Sequence, residues 1–303
     1  MQTTNHLLMI RPVDFKFNQQ TAENNKFQQE SGDLNTQSKA LQEFDAFVAM
    51  LRENLLDVTV INDSIQPEKP DSIFPNNWVS FHETGETILY PMFSENRRLE
   101  RRQDILDQLS KDFVLEKTVD LTGYEKDGVF LEGTGSLVLD RLAKVAYACK
   151  SLRTNELVIA EFCNQTGYTI VLFDAVDAAG FPIYHTNVMM CIGEQFAVIC
   201  LEAISNATQK TFVVNSLTST GKEIIEISLE QMNRFAGNML QVTNKNGDRL
   251  LVMSEQAYMS LSVTQIKRLT AYNKIVTAPL YTIEKNGGGS ARCMLAEIHL
   301  KRR

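Results

Sequence analysis

The chain has 303 residues, a length that accommodates one large closed α/β domain or two smaller domains. Its 44% apolar and 22% charged residues are typical of a soluble globular protein, and no apolar run reaches the ~18 residues of a membrane span. The net charge of −7 argues against binding to a nucleic-acid backbone. The start MQTTNHLLMI lacks the basic and apolar stretches of a signal peptide, so we expect a cytoplasmic protein without a membrane partner.

The predicted elements recur in the order hairpin, helix, strand. Two apolar runs around a Gly or charged turn predict β-hairpins, whose first runs are residues 74–82, 129–140, 183–193 and 239–243. Apolar residues spaced three and four apart predict helices at 37–56, 96–110, 154–163, 203–210 and 262–272. Thr154 is the expected N-cap of the third helix, and Ser262 with Gln265 has the spacing of a capping box.

This unit repeats about every 55 residues. Asn77, Glu132 and His185 stand at equivalent places in successive hairpins, the next hairpin begins near Met239, and Cys293 follows at twice the spacing. Four hairpins and a last strand at 293–300 leave one partner missing, which an N-terminal strand at 6–10 could supply. The sequence therefore predicts one α/β domain, residues 1–303, built as a closed five-bladed propeller. An open α/β sheet is the alternative.

The cysteines suggest one reactive thiol. Their number is odd and none forms a CxxC pair, which predicts neither disulfides nor a zinc knuckle. Four lie in apolar runs and are expected in the core: Cys149, Cys163, Cys191 and Cys200. Cys293 instead follows the glycine-rich segment NGGGS at 286–290, and the backbone amides of Gly287–Gly289 could stabilise an oxyanion.

Two further residues share the repeat position of Cys293. His185 suits a general acid or base, and Glu132, in an otherwise apolar strand, suits binding of a cationic or NH-rich group. There is no HExxH motif, Walker A loop or GxGxxG fingerprint, so no metal or cofactor is predicted.

The motifs PDSIFPNNW, LEGTGS, YHTN and NGGGSARC resemble the pentein, or amidinotransferase and arginine deiminase, superfamily across essentially the whole chain. The start RPVDFKFNQQTAENNKFQ is most similar to the bacterial citrulline-utilisation hydrolases. The resemblance implies a five-bladed propeller that acts on guanidino or ureido groups. It implies that Cys293 is the nucleophile, His185 the acid/base and Glu132 the acid that binds the terminal nitrogens of the substrate.

The same resemblance implies the substrate contacts. Asp71 matches a substrate-binding aspartate, and Arg97 and Arg153 match arginines that bind the α-carboxylate of a small zwitterionic amino acid. A homodimer is common in the superfamily.

Asn77 and Asn187 stand where arginine deiminases carry acids. Because an amide complements a neutral ureido group, we expect citrulline to be hydrolysed to ornithine, CO₂ and ammonia through a thioester on Cys293. An arginine deiminase, a dimethylarginine-hydrolase-like enzyme, an amidinotransferase and a non-catalytic binding module are the alternatives.

Overall fold

Five three-stranded sheets make up the protein, as the repeat predicts. The structure, a computed structural model, describes all residues from Met1 to Arg303. The five sheets are here called blades 1 to 5, and the strands of each are given in spatial order. Blade 1 consists of Ala296–Glu297, His6–Arg11 and Asp57–Asn62; blade 2 of Val79–Phe81, Glu86–Leu89 and Lys117–Asp120; blade 3 of Val138–Asp140, Val145–Cys149 and Thr169–Phe173; blade 4 of Met190–Ile192, Phe196–Ile199 and Glu223–Glu226; and blade 5 of Leu240–Thr243, Arg249–Ser254 and Lys274–Ala278.

Every blade has the same topology. In blade 2, Val79–Phe81 pairs antiparallel with Glu86–Leu89, which pairs parallel with Lys117–Asp120. A tight turn joins the antiparallel pair, whereas the parallel strand requires a crossover, and a helix supplies it. The α/β propeller predicted from the sequence is therefore confirmed.

Blade 1 joins the two ends of the sequence. His6–Arg11 pairs antiparallel with Ala296–Glu297, with Leu7 opposite Glu297, and pairs parallel with Asp57–Asn62. The Ile298 N–H donates to the His6 carbonyl at 2.9 Å. This is the closure that the missing hairpin partner predicts.

Helices connect the second and third strands and cover the blades. The α-helices are Gln19–Ala22, Thr36–Glu53, Glu95–Arg98, Gln103–Leu109, Gly133–Ser136, Glu156–Thr166, Thr186–Met189, Ala207–Ser219, Leu229–Asn233, Glu255–Ser260, Val263–Thr270 and Tyr281–Gly287, and the 3-10 helices are Pro75–Asn77, Thr122–Asp127, Leu201–Ala203 and Ala291–Met294. The capping box of Ser262 and Gln265 is confirmed at Val263–Thr270. None of these helices has the length and apolar character needed to cross a bilayer.

Two predicted helices need correction. The predicted helix 96–110 is broken between Glu95–Arg98 and Gln103–Leu109. Leu99, expected on its apolar face, lies at the break and is 46% exposed. The predicted helix 203–210 begins only at Ala207, because the Asn206 side chain accepts hydrogen bonds from two N–H groups of the first turn.

The N-cap predicted at Thr154 is also wrong. Asn155 caps Glu156–Thr166 by accepting from the Leu157 N–H, while the Thr154 hydroxyl is buried and donates to Ser136. Thr154 thus ties this helix to the turn that begins blade 3.

The burial of the four cysteines that were expected in the core agrees largely with the prediction. Cys149, Cys191 and Cys200 are buried, but Cys163 is only half-buried, which corrects its placement in the core. Burial raises the pKa of both Cys149 and Cys191 to about 12. These thiols are therefore protonated at neutral pH and chemically quiet.

Candidate active site

The reactive residues lie in short turns just before the first strand of each blade. Asn77 ends a 3-10 turn, Glu132 and His185 precede single helical turns, and Cys293 lies inside the 3-10 turn Ala291–Met294. The prediction that Glu132 and Cys293 lie within strands is wrong. The turn sequences PNN, GTGS and TN favour turns over strands, and equivalent turns meet at the centre of the ring.

Glu132 and His185 form a buried pair. The imidazole Nε2 lies 2.8 Å from Glu132 Oε2, and Glu132 Oε1 accepts the Phe93 N–H at 3.0 Å. Burial opposes ionisation of Glu132, but Arg153 and the hydrogen bond from His185 outweigh it and hold the pKa of this carboxyl well below its ordinary value. Glu132 is thus an acceptor at neutral pH, and Nε2 carries the proton of this hydrogen bond.

His185 is a neutral imidazole in this setting. Burial lowers its pKa to about 4, although Glu132 opposes the shift. With Nε2–H directed to Glu132, Nδ1 holds the lone pair that can accept a proton. The Tyr184 ring packs against the imidazole with 4.6 Å between centroids, which fixes its plane.

Cys293 is surrounded by amides. Its side chain is buried, and Sγ lies 3.2 Å from Asn238 Nδ2 and 3.5 Å from Asn187 Nδ2. Asn187 was expected to contact substrate. Its amide lies against the sulfur instead and does not line the cavity beside Cys293.

The glycine-rich segment 286–290 is buried. Gly288 N–H donates to the Glu284 carbonyl at 2.9 Å as part of a helix C-cap. The Gly288 amide is therefore occupied and cannot act as one of the oxyanion donors that the sequence suggested. A Cβ on Gly289 would lie 3.0 Å from the Phe74 ring and 3.3 Å from Cys293 Cβ, so glycine allows the backbone to pass beside the thiol.

Asn77 lines the cavity, and its side-chain amide has a fixed orientation. Its Oδ1 accepts a hydrogen bond from Arg97 Nη1 at 2.9 Å, and its Nδ2 has no hydrogen-bond partner. Arg97 is itself held by two hydrogen bonds to Glu100, at 2.8 and 2.9 Å. The amide is therefore fixed with its NH₂ group free.

Arg97 has little left for a substrate carboxylate. Besides Glu100 and Asn77, it donates to the Phe74 carbonyl at 3.3 Å. Its predicted contact with the α-carboxylate thus has no support in this geometry. Its side chain is buried, because Arg97 is only 2% exposed.

Asp71 lines the same cavity, and its Oδ2 lies 3.9 Å from Arg97 Nε. Its Oδ2 accepts from Asn18 Nδ2 at 2.8 Å, whereas Oδ1 is buried without a partner. Burial raises the pKa of this carboxyl above its ordinary value, against the effect of Arg97. Asp71 therefore contributes an unused acceptor to the site.

An N-terminal segment, residues 18–29, covers the cavity and is here called the strap. The Gln29 N–H donates to the Lys285 carbonyl at 2.7 Å, and Asn25 Nδ2 contacts the Gly287 carbonyl at 3.4 Å. Asn24 Oδ1 accepts from both Nε, at 2.8 Å, and Nη2 of Arg153. The amide oxygen of Asn24 thus occupies the Nε and Nη2 edge of the guanidinium, where a carboxylate would bind in bidentate fashion.

The cavity below the strap is nearly filled. It measures about 10 Å³, room for about one water molecule. Its lining residues are Asn25, Asp71, Phe74, Asn77, Arg97, Arg153, Tyr184, His185, Gly287, Gly289 and Cys293. A larger cavity of about 480 Å³ lies outside and shares Arg153 and Tyr184 with the inner one.

Three parts of the site were missed by the sequence reasoning. Asn238 lies 53 residues after His185, so the repeat itself was a signal for it. Glu100 lies three residues after Arg97 and forms an ion pair with the guanidinium that was predicted to bind the substrate carboxylate. The strap falls largely within the N-terminal motif that resembles the citrulline-utilisation hydrolases, but its cover over the cavity was not predicted, because its contacts are distant in sequence. No group of three or more His, Cys, Asp or Glu side chains is arranged to hold a metal ion.

The chain matches one family model, described as N,N dimethylarginine dimethylhydrolase, eukaryotic, over residues 11–300. No curated protein matches its sequence. Among solved structures, it resembles the substrate-bound N-terminal domain of ArgZ, an arginine dihydrolase from cyanobacteria, with a TM-score of 0.75, 16% identity and 97% of both chains covered.

Two further structures show how much of each protein is shared. Against the whole ArgZ chain, the match covers 97% of this chain but 40% of ArgZ, with a TM-score of 0.75 and 17% identity. The dimethylarginine hydrolase DDAH from Pseudomonas aeruginosa, a cysteine mutant complexed with citrulline, matches with a TM-score of 0.68, 16% identity and 98% and 100% coverage. At these identities the structural matches establish the fold.

Proposed function

The chain belongs to the N,N dimethylarginine dimethylhydrolase family of the pentein superfamily, hydrolases that act on C–N bonds, and we propose that this member hydrolyses the ureido group of citrulline. The products would be ornithine, CO₂ and ammonia, and the reaction consumes one water molecule. The proposal fits the resemblance of the sequence to citrulline-utilisation hydrolases.

The orientation of Asn77 carries the proposal. Because Arg97 occupies Oδ1, Asn77 offers the substrate only its Nδ2 donor. A ureido oxygen accepts such a donor, whereas a guanidinium has donors only and would face it unfavourably. The free Oδ1 of Asp71 provides the complementary acceptor for a ureido N–H.

Arg153 is the candidate for binding the substrate's α-carboxylate. Its Nε and Nη2 are held by Asn24, which we take to stand where a carboxylate oxygen would bind. Since the inner cavity has no room for an amino acid, we propose that the strap moves aside and that substrate enters from the 480 Å³ cavity.

The proposed chemistry uses Cys293 and His185. Nδ1 of His185 takes the thiol proton, Sγ attacks the ureido carbon, and the C–N bond to the ornithine nitrogen breaks as His185 returns the proton to the leaving amine. Water, deprotonated by His185, then attacks the carbamoyl thioester and expels the thiolate. The released carbamate decomposes to CO₂ and ammonia. Glu132 keeps the imidazole in the required tautomer.

A guanidino substrate is the second candidate. Two carboxylates, Asp71 and Glu132, lie at the site, and carboxylates complement a guanidinium cation. Hydrolysis of arginine or methylated arginine, or amidine transfer, would use the same Cys293 and His185. The presence of the thiol beside these groups disfavours a purely non-catalytic binding module.

A substrate panel separates these candidates. We expect purified protein to release one ammonia and one ornithine per citrulline and to leave arginine and dimethylarginine unchanged. Citrulline accumulating from arginine, or ornithine formed from arginine, would refute the proposal in favour of the guanidino alternative.

The nucleophile has a matched control. Cys293→Ser should abolish turnover, whereas Cys163→Ser, at a half-buried thiol elsewhere, should retain at least half of it. Mass spectrometry of His185→Ala incubated with citrulline should find an adduct on Cys293. Substantial activity in Cys293→Ser would contradict the mechanism.

We also propose that residues 1–303 act as one domain, which the pairing of the first and last strands supports. A homodimer and a cytoplasmic location stay predictions.

A further inference from the structure

We propose that Asn238 is a catalytic residue whose side-chain amide N–H stabilises the thiolate of Cys293. The inference rests on the proposed use of Cys293 as nucleophile, but it does not depend on which substrate is hydrolysed. Asn238 belongs to blade 5, the one blade whose central residue has no assigned part in the reaction.

The hydrogen bonds of Asn238 leave only one orientation of its amide. Its Oδ1 accepts the Arg292 N–H at 3.0 Å, and a backbone N–H can only donate. Nδ2 must therefore face the other way, where it donates to the Asn187 carbonyl at 2.9 Å and to Cys293 Sγ at 3.2 Å. The side chain is 0% exposed, so no water competes for these contacts.

The small size of Gly237 allows Asn238 to lie close to the sulfur. A Cβ on Gly237 would lie 2.3 Å from the Val188 carbonyl oxygen and 2.7 Å from the Met189 carbonyl carbon. Only a residue without a side chain allows the two backbones to approach this closely. The approach brings Asn238 within hydrogen-bond distance of both Asn187 and Cys293.

A donor aimed at sulfur favours the charged form. An amide N–H stabilises a thiolate strongly and a thiol weakly, and in a buried site the difference is larger than in water. The sulfur is anionic twice in the cycle: before its electron pair forms the bond to the substrate carbon, and when that pair returns to sulfur as water displaces it. Asn238 would lower the barrier of both half-reactions.

The other polar groups of the site stabilise the Cys293 thiolate less directly than Asn238. His185 is neutral at pH 7, since burial lowers its pKa to about 4, and so supplies no positive charge. The Arg292 guanidinium donates to the Leu295 carbonyl and to Glu297, at 2.8 and 2.9 Å, and makes no hydrogen bond to the sulfur. Asn187 Nδ2 lies farther away, at 3.5 Å.

Alkylation by iodoacetamide tests the proposal without a substrate. In the full chain, we expect Asn238→Ala to slow alkylation of Cys293 at least fivefold at pH 7, read by peptide mass spectrometry. The difference should shrink below twofold at a second, alkaline pH that is high enough to ionise the sulfur in both proteins. Asn206→Asp, at an exposed helix N-cap where Asp serves as well as Asn, is the matched control and should behave as wild type.

A second variant guards against misfolding. Asn238→Asp has the same shape and keeps the acceptor for Arg292 N–H, and it should slow alkylation more than Asn238→Ala because a carboxylate repels the thiolate. Turnover of whichever substrate is active should fall at least tenfold in kcat with less than threefold change in KM. An alkylation rate unchanged at pH 7, or a loss equal at both pH values, overturns the proposal and leaves Asn238 a structural residue. Failure of citrulline as substrate would leave the alkylation result intact.

Discussion

A single methyl group added at Gly135 should disable the enzyme while leaving it folded. Gly135 lies in the turn after Glu132, and its added Cβ would lie 2.4 Å from Asn77 Nδ2 and 2.8 Å from His185 Nδ1. Ordinary contacts begin near 3.4 Å, so the Asn77 amide must move by about 1 Å and the His185 imidazole by about 0.6 Å. Neither can do so freely, because Arg97 holds the Asn77 amide and Glu132 holds the imidazole.

The size of the effect follows from that displacement. A misplacement of ~1 Å at reacting groups costs about 100-fold in rate, and overpacking a buried site costs about 1–3 kcal/mol of folding stability. We therefore expect Gly135→Ala to lower kcat/KM for the active substrate about 100-fold, with most of the loss in kcat. Its free energy of unfolding, from urea titration, should fall by no more than about 3 kcal/mol.

Gly123→Ala is the matched control. An added Cβ there meets nothing within 4 Å, and the φ angle of Gly123 is not in the left-handed region. Its kcat/KM should stay within twofold of wild type. If Gly135→Ala also stays within twofold, His185 and Asn77 do not need the positions described here, and the assignment of their roles fails.

Three further substitutions probe specificity, access and stability. Asn77→Asp places an acceptor opposite the substrate and should shift the ratio of citrulline to arginine turnover at least tenfold toward arginine; an unchanged ratio would contradict the amide argument. Asn24→Ala frees the guanidinium of Arg153 and should lower KM severalfold, whereas a higher KM would mean that Asn24 helps to bind substrate. Burial raises the pKa of Glu284 to about 7 from an ordinary 4.5, so the native state holds more protons than the unfolded chain between these values and loses stability as pH rises through them. Glu284→Gln lacks this carboxyl, so its free energy of unfolding minus that of wild type should be up to ~3 kcal/mol larger at pH 8 than at pH 4. An equal difference at both pH values in urea titrations would refute this.

The repeat allowed most of the fold to be predicted. Turn residues and apolar runs recur at one period, and each hairpin, helix and parallel strand is largely determined by its own segment. The errors lie where tertiary contacts override local preference. Leu99 continues an apolar helical pattern, but the inward turn of Arg97 toward Glu100 accompanies a break in the helix. Thr154 is a good N-cap by type, yet its hydroxyl is drawn to Ser136.

The site was predicted in part for the same reason. Glu132, His185 and Cys293 share a repeat position, and the structure brings the turns that carry them together, with Glu132 bonded to His185. The direction in which an amide points depends on partners far along the chain, such as Arg97 for Asn77 and Arg292 for Asn238. No local pattern encodes these contacts.

The pairing of Leu7 with Glu297 joins residues 290 positions apart, and Cys293 lies four residues before that contact. The antiparallel partner of His6–Arg11 is therefore synthesised after every other strand of the five blades, and Cys293 is synthesised after Glu132, His185 and Asn238. Contacts of such long range form slowly, because loop closure must precede them. The acid and the imidazole are thus present in the growing chain before the nucleophile, and we expect the contacts of the Cys293 thiol to be among the last of the site to form.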